Sequence, residues 1–162
     1  MPTWHVKGIA FYDDITLLHL MKATKTRPAK IVTAAQEARY KPWTHVVAAG
    51  WGALTPTGTT VDLVHAETLE KLPDSICGSE YGSLYDVTKH SCAGWEWPSM
   101  THDTCNGDSG GPLAWHVDHT YRLIATTSWG STCLTEGVPG VYTRLAPALS
   151  WINKTIAASP SP

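Results

Sequence analysis

The chain has 162 residues, 43% hydrophobic and 16% charged, which is ample apolar material for a packed core and the wrong composition for a disordered tail. Twelve Lys and Arg against fourteen Asp and Glu give a net charge of −2 with no basic run, which argues against a nucleic-acid partner. No apolar run reaches the ~20 residues of a membrane span, and MPTWHVKGIAFYDD lacks the basic start and apolar stretch of a secretory signal.

In chain order, AFYDDITLLHL (10–20) is apolar and β-rich and predicts a strand with a buried end. MKATKTRPAK (21–30) is basic and polar, a connector. THVVAAGWG (44–52) is an apolar run stopped by glycines and predicts a buried strand. VDLVHAETLEKLP (61–73) fits strand or helix. YRLIATTSWG (121–130) is β-branched and ends at glycine, and GVPGVYTRL (137–145) places a Pro-Gly turn before a strand. After Pro147, Leu149, Ile152 and Ile156 fall at i, i+3 and i+7, one face of a helix. The closing AASPSP is expected to fray. Short strands, turn signals and one terminal helix predict a mostly-β barrel or sandwich.

Four cysteines invite a disulfide reading, and three pairings are open. Local pairs would close 14 residues between Cys77 and Cys92 and 27 between Cys105 and Cys133. There is no CxxC, which argues against zinc. HVDH (116–119) has the residue types of a metal site but reads better as a polar hairpin tip.

HDTCNGDSGGPL (102–113) surrounds Ser109 with Gly107, Gly110 and Gly111. Glycines permit positive φ and close backbone approach, so they can hold a serine on a tight turn with neighbouring N–H groups exposed. Such N–H groups can stabilise charge developing on a carbonyl oxygen. A bare SGG is usually a structural turn; GDSGGP is far more specific.

GDSGGP resembles the nucleophile motif of the trypsin/chymotrypsin family of serine proteases. DDITLLHL resembles that family's carboxylate segment, AGWG (49–52) the start of its second barrel, and TSWGSTC and PGVYTRL its pocket walls. The resemblance implies an all-β, chymotrypsin-like six-stranded antiparallel barrel with a C-terminal helix. Residues 1–48 would be a remnant of a mostly missing N-terminal barrel plus connector, 49–157 the complete barrel and helix, and 158–162 a disordered tail.

It also implies roles: Ser109 as nucleophile, Asp14 as the acid orienting the base, and Gly107 and Ser109 as oxyanion-hole donors. Asp103 would floor a pocket for Arg or Lys, Gly130 and Gly140 would leave its walls open, and Ser128, Trp129 and Gly130 would align substrate backbone. Asp108 would pair with an activating N-terminal ammonium. The family pairs Cys77 with Cys92 and Cys105 with Cys133.

Two parts of the pattern are missing from this sequence. The family's base is a histidine well upstream of the acid, whereas His5 is only nine residues before Asp14 and lacks the motif. IVTAAQ (31–36) has Gln36 where that motif has histidine, and Gln is no base. His19, His45, His65, His90, His102, His116 and His119 also stand outside it. No activation site precedes Asp14, so a zymogen-like, partly collapsed oxyanion hole is expected, with apolar surface exposed where the first barrel would pack.

The expectation is therefore a secreted, monomeric, trypsin-like endopeptidase, seen as an N-terminally truncated sequence. Its partners would be proteins or peptides with Arg or Lys at the cleaved bond and protein inhibitors, with no membrane, metal or cofactor. The alternative is a non-catalytic homologue acting as a protein-binding module. Asn153-Lys154-Thr155 is a glycosylation sequon on the terminal helix.

Overall fold

A computed structural model describes residues 4–159. The first three residues of the opening stretch and the last three of the AASPSP tail lie outside the described residues.

Strands β1 (His5–Lys7) and β2 (Ala10–Tyr12) form an antiparallel hairpin. Strand β2 stops at Tyr12 because Asp13 takes φ +50, which breaks an extended run. The strand expected over 10–20 is therefore three residues long, and no helix or strand follows until β3 (Lys30–Ile31). Next comes α1 (Ala34–Glu37), started by a capping box in which Thr33 and Gln36 satisfy each other's backbone N–H groups.

The larger sheet is built from β4 (His45–Gly50), β5 (His65–Lys71), β6 (His90–Gly94), β7 (Pro112–Val117), β8 (Thr120–Trp129) and β9 (Gly140–Arg144). Its order is β8-β7-β4-β5-β6-β9, and β9 pairs back onto β8, so six antiparallel strands close into the expected barrel. Strand β3 adds in parallel beside the start of β8. Residues 45–48 belong to β4, so the expected division at Ala49 falls inside a strand of the barrel.

Alternation decides which side chains fill the barrel. Val46 and Ala48 of β4, and Leu113, Trp115 and Val117 of β7, point inward and meet Leu69 and Tyr142. The ambiguous segment resolves as β5, because pairing along β4 from His45↔Glu70 to Gly50↔His65 fixes it extended. A second cluster joins Ala10 and Tyr12 of the hairpin to Leu72, Tyr81 and Trp129.

Helix α2 (Asp74–Tyr81) has no counterpart in the sequence reading. Only Cys77 and Tyr81 of it are buried and no side chain caps it, so it shows no apolar period. Helix α3 (Leu149–Ala158) forms as expected, but only Ile152 is fully buried and Ile156 is 61% exposed. Its face packs through the first turns, and among the described residues the last turn stays uncovered. Ala158, expected in a disordered tail, is helical.

Both disulfides follow the expected pairing, Cys77–Cys92 and Cys105–Cys133. The HVDH segment is the β7–β8 hairpin tip, with Asp118 and His119 at φ 48 and 60, as a tight two-residue turn needs. Asp118 accepts hydrogen bonds from Gln36 (2.8 Å) and Arg39 (2.9 Å), and the His116 ring lies tilted against Tyr121, so that segment is engaged within the fold.

Candidate active site

Ser109 stands on the turn entering β7, and its neighbours are stitched in place. The Asp108 N–H donates to Cys105 O (3.0 Å), Gly110 to Thr127 O (2.8 Å) and Gly111 to Asp108 O (2.8 Å). The N–H groups of Gly107 and Ser109 are taken up by no hydrogen bond among the described residues. These two donors therefore stand unbonded among the described residues beside Asp108, Gly110 and Gly111, whose N–H groups are spent. Gly107 has φ +101, and a Cβ there would lie 2.6 Å from Thr60 Cγ2, so glycine is required twice over.

The Asp108 carboxylate turns away from Ser109 into the protein. Gly52 N–H donates to its Oδ1 (2.8 Å) and Cys105 N–H to its Oδ2 (2.9 Å). A cavity of about 230 Å³ lies beside it, bounded by Gly50, Gly52, Asp103 and His102. The expected collapse of the turn is therefore not matched by any internal bonding of the two free N–H groups.

Asp14 is held by Ser128, whose Oγ donates to Asp14 Oδ2 at 2.7 Å. The preceding Asp13 pairs with Lys89 Nζ at 2.6 Å. The hairpin that carries both acids is tethered by His90 and Tyr12. Asp86 N–H donates to His90 Nδ1 (3.1 Å), so Nε2 carries the proton and donates to Phe11 O (2.9 Å). Burial holds the His90 pKa below the ordinary imidazole value, which keeps this ring neutral. Tyr12 OH donates to Leu84 O at 2.7 Å.

A cleft of about 380 Å³ brings Ser109, Asp103, Ser128, Trp129, Gly130 and Gly140 onto one surface. Asp103 is half-buried at its base, and its Oδ1 accepts the Thr104 N–H at 2.8 Å. Burial first, and then the charge of Asp108, push its pKa up to about 8, against the hydrogen bonds from Thr104, Gly140 and Tyr142. A Cβ on Gly140 would stand 2.6 Å from Asp103 Oδ1, so the missing side chain is what leaves that carboxylate reachable. Gly130 faces Gly140 across the opening, its hypothetical Cβ 3.9 Å from Gly140 Cα.

Of the expected site residues, Gly107 and Asp108 do not line the cleft, and Asp14 meets it through Ser128. Sequence reasoning missed Ile9 and Phe11, which wall the cleft from the hairpin, and Thr104, whose Oγ1 is 2.9 Å from Tyr142 OH. Their signal was faint: Ile9 and Phe11 alternate along the hairpin, and Thr104 simply follows Asp103. No histidine is among the lining residues. His5 stacks on Tyr12, His45 faces Glu70 at 3.5 Å, and His102 faces Glu67 at 4.0 Å.

Comparison with known proteins agrees with this geometry. The family model described as Trypsin matches residues 2–152. The chain is 34% identical over 143 residues to Trypsin-1 of Astacus astacus, covering 87% of this chain and 59% of that protein. It is 36% identical over 132 residues to Trypsin of Saccharopolyspora erythraea, covering 82% and 55%. It is 27% identical over 154 residues to the vitellin-degrading protease of Bombyx mori, covering 94% and 51%. The chain thus spans between 51% and 59% of the length of these relatives.

Proposed function

The chain belongs to the trypsin family of serine proteases, and on that premise we propose that it carries the nucleophile and specificity pocket of an endopeptidase cleaving after arginine or lysine. The shared cleft of Ser109 and Asp103 supports this most directly. Ser109 Oγ attacks the scissile carbonyl and forms an acyl-enzyme that water then hydrolyses. The free N–H groups of Gly107 and Ser109 take the developing oxyanion. Asp14, steadied by Ser128, orients the imidazole that accepts the Ser109 proton. Asp103 receives the substrate guanidinium or ammonium, and Ser128, Trp129 and Gly130 align its backbone as an added strand.

Among the described residues no imidazole lines the cleft, so this reading requires a base that the described cleft does not hold. Asp108 is the acid that an activating ammonium meets, entering through the cavity beside it. The two disulfides fit a secreted protein, working as a monomer on protein substrates and inhibitors. The cleft without an imidazole also favours a second reading, a homologue that binds the same cationic segments without cutting them.

Benzamidine binding to the purified chain tests the pocket. The amidinium pairs with the carboxylate form of Asp103, and that form is scarce below its raised pKa of about 8. Affinity is expected to rise about tenfold per pH unit below pH 8 and to level above it. Asp103→Asn abolishes that rise, and pH-independent binding equal in both proteins sinks the pocket assignment. Protein captured from its native source separates the two readings. Cleavage after Arg or Lys that Ser109→Ala removes selects the enzyme, and benzamidine binding without cleavage selects the binding module.

A further inference from the structure

We infer that His90 is a positioning residue for Asp14, and that protonation of its ring releases the segment carrying Asp14 from the barrel. Its bearing on catalysis rests on the reading of Asp14 as the acid of the site. The segment adds no strand to the barrel, and its own hairpin pairs only three residues with three. Side-chain bonds and the packing of Ala10 and Tyr12 therefore hold it in place.

His90 stands in β6 and is 1% exposed. Both ring nitrogens are used. Nδ1 accepts the Asp86 N–H at 3.1 Å, and Nε2 donates to the carbonyl of Phe11 at 2.9 Å, in the strand that leads into Asp14. The ring also meets Trp129 edge-on, with centroids 5.4 Å apart, and lies tilted at 5.0 Å from Tyr12 and 5.9 Å from Tyr85. One imidazole thus bears on the Asp14 segment and on Trp129, which lines the Ser109 cleft.

An imidazolium carries a proton on both nitrogens and accepts from neither side. Its Nδ1–H would face the Asp86 N–H, donor against donor. The ring then has to turn, and Nε2 leaves Phe11 O. The charged neighbours do not hold the cation in place. Asp13 is paired with Lys89, and Asp86 already accepts from Thr88. Across the cavity of about 120 Å³ that the ring lines, Glu37 is paired with Arg144 and Asp74 with Lys71. Burial raises the hydroxyl pKa of Tyr12, Tyr40 and Tyr85, so these stay neutral. Burial of the imidazole outweighs Asp86 and Asp13 and holds its pKa below the ordinary value. The released ring regains the ordinary value of about 6.5, so it binds the proton more tightly than the docked ring. Acid therefore favours release, increasingly as pH falls below about 6.5.

The test is amide hydrogen exchange followed by NMR on the disulfide-bonded chain, from about pH 7.5 down to about pH 4.5. Protection in β1 and β2 is expected to be flat above about pH 6.5 and to fall about tenfold per pH unit below it. Protection in β4 and β7 is expected to hold, and the Asp14 amide resonance to move over the same range as the hairpin. His90→Gln offers an N–H to Phe11 O and a carbonyl to the Asp86 N–H, and it cannot charge. Its hairpin protection is expected to be independent of pH. A fall of the same slope in His90→Gln, or loss of β4 and β7 protection in step with the hairpin, overturns the inference. If His90→Gln does not fold, the parent decides: the His90 ring nitrogens must titrate together with hairpin protection. A ring that titrates while protection stays flat overturns it equally. None of these readouts needs a substrate. Cleavage by the native-source protein that survives Asp14→Asn fails the reading of Asp14 as the acid and leaves the release intact.

Discussion

In the barrel, each of the six strands has hydrogen-bonded neighbours on both sides, and closure leaves no edge. The β1–β2 hairpin has one pairing, and all three residues of β1 are exposed. Both regions are rich in apolar residues. In the barrel they face one another across a closed interior. Along residues 4–21, Trp4 is 59%, Leu18 84% and Met21 95% exposed. Hydrophobic sequence alone therefore does not make a core; it has to be enclosed by a topology that returns on itself. The candidate site straddles the contrast, since the barrel supplies Ser109 and Asp103 and the loosely covered segment supplies Asp14.

The sharpest way to test that contrast is to hollow the barrel. Leu113 is fully buried, so Leu113→Ala is expected to cost about 3–4 kcal/mol of global stability by urea denaturation. Opening the link that pins α2 to β6, with Cys77→Ser and Cys92→Ser together, is expected to cost about 3 kcal/mol. Tyr12→Phe removes only the bond to Leu84 O, a loss of about 1 kcal/mol. Its signature is local: amide exchange speeds up in β1 and β2 and stays slow in β4 and β7. Val6→Ser on the exposed face of β1 is expected to shift stability by under ~0.5 kcal/mol. If Val6→Ser unfolds the barrel, the two regions are one cooperative unit and the contrast fails.

Half of the barrel was legible in sequence: β4, β8 and β9 carry apolar or β-branched runs bounded by glycine, whereas β5 fitted strand or helix and β6 and β7 gave no strand signal of their own. THVVAAGWG and YRLIATTSWG became β4 and β8 with ends close to those expected. Part of the candidate cleft was legible through the GDSGGP resemblance, since Ser109 and Asp103 both line it. Helix α2 was hidden because two buried residues in eight give no period. The short β2 was hidden because a single left-handed Asp13 ends it. Phe11 and Thr104 were hidden because a cleft wall is made by proximity across the fold, which no local pattern records.

Gly50 and Gly52 have a further consequence. A Cβ on Gly50 would fall 2.1 Å from Asp108 Oδ1, and one on Gly52 would fall 2.4 Å from the carboxylate carbon. Trp51 between them is 57% exposed. A saturation-mutagenesis profile of this loop should therefore alternate, intolerant at 50, permissive at 51 and intolerant at 52. The spacing of those gaps is dictated by a side chain more than fifty positions downstream. Substituting Asp108 with a smaller residue should widen what positions 50 and 52 accept, which makes the three positions one heritable unit rather than three.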